Sequence, residues 1–134
     1  MQAEEVFMSA MALIDEMSSE TLDETSVAEY KVKAPYLLTI LQAEIVGIEN
    51  RFKKVEEWIF PTKIESLEDY LEIDDIKAQT MLSYGLAAQL MIHEDTALAN
   101  FFQSKYEELR SMFLKPTAVS KEKIVDKYDA TLSY

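Results

Sequence analysis

Residues 81–92 read MLSYGLAAQLMI, and this stretch decides the fold. Wound at 3.6 residues per turn it is apolar almost all the way round, so a helix built from it must be covered on more than one face. It therefore predicts the central helix of a bundle. The run spans 12 residues and is interrupted by Ser83 and Gln89, whereas crossing a bilayer takes about 20 apolar residues. Gly85, followed by Ala87 and Ala88, lowers the profile of one side so that a neighbouring element can approach closely. That is a packing role, not a chemical one.

Reading outward, Asp74 or Asp75 can cap this third helix, which runs to His93. Beyond His93-Glu94-Asp95, the residues Leu98, Phe101, Phe102, Tyr106, Leu109, Met112 and Phe113 recur at helical spacing until Pro116. Asp95 or Thr96 caps that fourth helix, and so short a link predicts an antiparallel αα-hairpin. Upstream, Val6, Ala10, Leu13 and Met17 form one stripe of a first helix over residues 3–17, with Phe7, Met11 and Ile14 beside it. A polar loop follows, in which Thr21, Asp23 and Ser26 are candidate caps. The second helix spans Ser26 to about Lys54, with Tyr30, Ala34, Leu37, Leu41, Ile45, Ile48 and Phe52 as its stripe. Pro35 has no amide hydrogen for the carbonyl of Lys31, which predicts a kink or break near Ala34.

Residues 55–73, VEEWIFPTKIESLEDYLEI, interrupt the helical pattern. They predict a long irregular insertion, with a short hairpin or a single helical turn at Ser66 to Tyr70. A connection of this length is often functional. The expected architecture is all-α: a small bundle of about four helices over residues 1–115, with the irregular loop between the second and third long helices. Residues 116–134 contain Ile124, Val125, Tyr128 and Leu132 without a sustained period, and read as a C-terminal arm.

Composition narrows the function. The 134 residues carry 25 acidic and 13 basic side chains, a net charge of -12, with one histidine and no cysteine. Disulfides, thiolate metal sites and cysteine nucleophiles are excluded. With only Gly47 and Gly85, phosphate-cradling glycine loops are excluded too. So acidic a chain is poorly suited to holding nucleic acid, where affinity comes largely from cations that displace counterions from phosphates. The first residues carry glutamates and no base, unlike a secretory signal, so the expectation is a soluble protein kept in a reducing cytoplasm, with no membrane partner.

No chemistry-bearing constellation emerges. The lone His93 has Leu90 three residues before it, so the Glu-x-x-His pattern of carboxylate metal bundles fails. The cluster Asp69, Glu72, Asp74 and Asp75 lacks the glycine and the spacing of a calcium loop. His93 with Glu94 or Asp95 reads as a helix end rather than an oriented base, and no GxSxG is present. The expectation is a protein with no cofactor, no metal and no catalytic residues. The acidity is uneven: residues 1–30 hold eight acids and no base, and residues 56–75 hold eight acids against Lys63. This is either a solvated surface or one that repels DNA or meets a basic partner. The aromatics of the fourth helix, together with the all-round apolar third, amount to more hydrophobic surface than four such helices are expected to cover, and a surplus of that kind marks an interface. The interface candidates are Trp58, Phe60, Ile64, Leu67, Tyr70, Tyr84, Gly85, Ala88, Phe101, Phe102, Tyr106 and Tyr128.

A resemblance lies in the same stretch. Ser66, Leu67, Asp69, Leu71, Asp74 and Asp75, then Tyr84 to Ala88, Glu94 and Asp95, Ala99 with Phe102, and Tyr106 to Leu109 form a succession of short words. It resembles the "SLxDxLxLDD", "YGLAA", "ED", "AxxF" and "YEEL" of head-tail connector, or head-completion, proteins of tailed phages and prophages. Ile124-Val-Asp-Lys-Tyr128 is similar to the "IxDVYG" with which such chains often close, with Asp129 here in place of the glycine. The resemblance covers residues 64–128 closely and the first two helices only in layout. It implies a helical bundle that forms a ring under the portal, contacts portal and tail-completion proteins, and lets DNA pass without specific binding. The implied locations are the virion and, during assembly, the bacterial cytoplasm. The alternative expectation is a small acidic interaction module, a dimeric regulator or inhibitor, that pairs through helices three and four outside any virion.

Overall fold

The computed structural model describes residues 1–18 and 22–114. Helix α1 is Ala3–Met17, α2 is Glu24–Asn50 and the last helix, α4, is Thr96–Phe113. Between them, α3 is a continuous rod made of Asp75–Lys77, a π-helical stretch Ala78–Leu82 and Ser83–Met91. The fold is thus the expected all-α bundle of four helices. Among the described residues the only other regular features are a single 3₁₀ turn, Val55–Glu57, and an isolated antiparallel bridge between Gln2 and Tyr70.

The caps explain where the helices begin. The Asp23 carboxylate accepts from the Ser26 amide at 2.7 Å, that of Asp74 from Ile76 at 3.1 Å and that of Asp95 from Leu98 at 3.1 Å. Each satisfies a donor that the first helical turn leaves free. The hydrogen bonds from Ser26 hold the Asp23 carboxyl below its ordinary value of 3.8. At α1, Gln2 and Glu5 form a reciprocal capping box.

The central position of α3 is as the sequence predicts. Ala78, Met81, Leu82, Leu86, Ala87, Leu90 and Met91 are all buried, packed among α1, α2 and α4. Gly85 is the point of closest approach. A Cβ there would stand 2.9 Å from Cδ1 of Tyr106 and 3.2 Å from Cδ2 of Leu41. The α3–α4 connection is the turn at residues 92–94, which makes the expected hairpin.

Two expectations for α2 need correction. Of the expected kink or break near Ala34, the break does not occur: Glu24–Asn50 is one helix with Pro35 inside it. Ala34 and Leu38, on either side of the ring, are fully buried and hold both halves against the core, while Lys31, whose carbonyl loses its partner, lies at the exposed surface. The buried stripe is also shifted. Leu38, Gln42 and Val46 are inside, whereas Leu37 and Ile48 are only partly covered and Phe52 lies past the helix end, 54% exposed.

Candidate functional site: a braced aromatic loop and an acidic groove

The segment after α2 is irregular in backbone yet closely held. It runs back along α2 as a strap, fastened by polar side chains that α2 projects towards it. Asn50 donates to the carbonyl of Ile59 at 2.8 Å and accepts from its amide at 3.1 Å. Gln42, fully buried, donates to the carbonyl of Thr62 at 3.4 Å and accepts from the amide of Glu72 at 2.6 Å. The Thr39 hydroxyl accepts from the amide of Ile64 at 2.9 Å. The Ile64 side chain then enters the core. These bonds satisfy backbone groups that an irregular segment would otherwise leave unpaired.

Farther on, Asp69 accepts from the amides of Glu65 and Ser66, which closes a turn at the expected place. The pairing that follows is with the N-terminus, not within the loop: Ala3 donates to the carbonyl of Asp69, Glu4 to that of Leu67, and Leu71 to that of Met1. The terminal ammonium meets Asp75 at 2.9 Å. The insertion is thus clamped at both ends.

At its start, however, the strap presents its apolar side chains outward. Phe60 is 79% exposed, and Phe52, Val55, Trp58 and Ile59 are exposed beside it. The loop still has fixed form. The rings of Trp58 and Phe60 meet edge to face at 6.5 Å between centroids, and the indole N–H donates to the carbonyl of Lys53 at 3.2 Å. Asn50 holds the residue between them. Three bases, Arg51, Lys53 and Lys54, form the stem.

At the other end of the strap lies an open groove of about 610 Å³ between α2 and the 65–68 turn. Val32, Pro35, Tyr36 and Leu67 supply its apolar lining, and Glu4, Glu65 and Glu68 its carboxylates. Val32, Tyr36 and Ile40 form a stripe along α2, each more than 60% exposed. This outward apolar face of α2 was missed in the sequence. A Val-x₃-Tyr-x₃-Ile spacing is its signal, but it lies one step round from the expected core stripe.

The twelve sequence-predicted interface residues separate accordingly. Trp58, Phe60 and Tyr70 are exposed, Phe101 is 41% exposed, and Leu67 and Tyr84 are partly covered. Ile64, Gly85, Ala88, Phe102 and Tyr106 belong to the subunit's own core, which corrects their assignment as neighbour contacts. Phe102 packs against Phe101 and Tyr84, and Tyr106 fills the space over Gly85. The hydroxyl of Tyr106 donates to Glu44 at 2.6 Å, and Arg110 closes the network on Glu44 at 2.5 Å. Burial, then the bond to Glu44, pushes the Tyr106 phenol well above its ordinary 10.0. Tyr128 and the C-terminal arm lie outside the described residues.

His93 is an exposed residue of the α3–α4 turn. Its neighbour Glu94 accepts from the hydroxyl of buried Tyr30, a tie between α2 and the hairpin turn. Among the described residues no three His, Asp or Glu side chains converge as metal ligands. No helix among them is long and apolar enough to cross a membrane. Compared with family models, curated proteins and solved structures, the chain finds no match, so the connector resemblance rests on the quoted residues alone.

Proposed function

We propose that this chain is a structural protein that joins the head of a phage or prophage particle to its tail, oligomerising and docking on the portal, with no reaction to catalyse. The observation that carries this reading is the loop at residues 51–60. Large aromatic side chains are held in fixed geometry yet left in water. Ordering exposed apolar groups lowers the entropic cost of docking them against a partner. Exposed apolar surface of this kind marks interaction sites, and the connector resemblance names the assembly.

The alternative module, paired through the third and fourth helices, is less well supported. On those two helices Phe102 and Tyr106 are buried inside the subunit, which leaves Phe101, Ile76 and Met112 as their exposed large apolar side chains. The decisive experiment is co-sedimentation with portal-bearing particles that lack this protein. Wild-type chain should bind, and Trp58→Ser with Phe60→Ser should weaken binding at least tenfold while leaving the helical circular dichroism unchanged. Absence of binding by the wild-type chain would overturn the reading.

A further inference from the structure

The strap has two unlike ends, and we infer that they fit each other between copies: the aromatic knob of one subunit, Trp58 and Phe60, seats in the α2 groove around Tyr36 of the next. This deepens the proposed assembly role and rests on it.

The inference starts from shape. The knob is convex, apolar and braced; the groove is concave, open and floored by Val32, Pro35 and Tyr36. The groove has a volume of about 610 Å³ and is open to solvent, so an indole and a phenyl ring would lie along it rather than be enclosed by it. Charge agrees. Arg51, Lys53 and Lys54 place three bases within four positions, and none of them has a carboxylate partner within the subunit among the described residues, while Glu56 and Glu57 beside Trp58 leave residues 51–60 with one surplus positive charge. The groove offers Glu4, Glu65 and Glu68 on its walls, against Lys31 and, at its far edge, Lys63. Between copies that each carry -12, a basic stem meeting acidic walls offsets part of the mutual repulsion.

A subunit cannot satisfy itself. Asn50, which anchors the knob, and Tyr36, in the groove, are 14 residues apart on one helix, about 21 Å at 1.5 Å per residue. The Asn50, Gln42 and Thr39 bonds hold the strap along that whole interval. The contact therefore has to form between molecules. Because it joins unlike surfaces, it is compatible with a head-to-tail arrangement, the class of interface that generates rings when the rotation closes, and a two-fold dimer would make the same contact twice.

The test exploits the absence of cysteine. Phe60→Cys and Tyr36→Cys chains, otherwise full length, are mixed in oxidising buffer while light scattering follows association. The inference expects at least tenfold more disulfide-linked dimer than a Ser104→Cys and Tyr36→Cys pair gives, and expects 1 M salt to reduce it. Association without linkage above that control overturns the knob-and-groove contact and leaves the assembly role standing on another surface. No linkage, when the unsubstituted chain binds portal-bearing particles, has the same meaning. No linkage, with no association and no particle binding by the unsubstituted chain, overturns both.

Discussion

Gly85 and Gly47 show how the same residue type carries opposite consequences. A methyl at Gly85 would meet the buried ring of Tyr106 at 2.9 Å and Leu41 at 3.2 Å, so something must shift to admit it. At Gly47 nothing lies within 4 Å. Gly47→Ala should stabilise the protein by about 0.5–1 kcal/mol through helix propensity. Gly85→Ala should destabilise it by about 1 kcal/mol, because overpacking of about 1–3 kcal/mol exceeds the propensity gain. Urea midpoints of the two variants check the difference in sign. The glycine's packing role was legible because Gly85 stands in an unbroken apolar run. Its partner was not, since sequence does not say which ring faces it.

Tyr106 adds a pH dependence. Its phenol is raised in the folded state above 10.0, chiefly by burial and next by Glu44. Its contribution to stability is therefore fully present below pH 10 and is lost as pH rises past 10, where the unfolded phenol ionises first. The urea midpoint should hold from neutrality towards pH 10 and then fall, and Tyr106→Phe should flatten part of that alkaline fall.

For the elements, the caps and the apolar periods of α1, α3 and α4 placed the bundle correctly, because burial and helix initiation are written in side-chain type and spacing. Three features were not legible. The continuity of α2 through Pro35 depends on tertiary packing around Ala34 and Leu38. The π-helical stretch in α3 has no sequence signature; the Thr80 and Ser83 hydroxyls bond the carbonyls of Ile76 and Gln79 around it. The strap's fastening is the third. Thr39, Gln42 and Asn50 read as the polar face of a helix, yet they are its means of holding irregular backbone. Gln42→Leu should destabilise the fold by about 2 kcal/mol, since the amide of Glu72 and the carbonyl of Thr62 lose their buried partner. Asn50→Ala should act locally: faster hydrogen exchange of the Ile59 amide and weaker particle binding, with the global unfolding midpoint little changed.

At the level of the whole molecule, the expected surplus of apolar surface exists, but elsewhere than on the third and fourth helices. Those helices largely satisfy each other and the core, with Ile76, Phe101 and Met112 left outside on them and Ile92 in the turn between them. Most of the remaining surplus lies at the two ends of the strap and along α2, with Met8 and Met17 exposed on α1. Sequence reasoning found Trp58 and Phe60 because they fall outside any helical period. It missed the stripe of Val32, Tyr36 and Ile40 because that stripe shares its period with the core. With large side chains worth about 1.5–3 kcal/mol each when fully buried, the exposed ones would contribute to the contacts of the proposed assembly.

Quantitative mass spectrometry of particles purified from an induced host that encodes this chain tests the central claim most directly. The account predicts the chain in multiple stoichiometric copies per particle, retained through density-gradient purification and lost from particles made with Trp58→Ser and Phe60→Ser. Particles that are complete and infectious yet contain none of it would contradict the account.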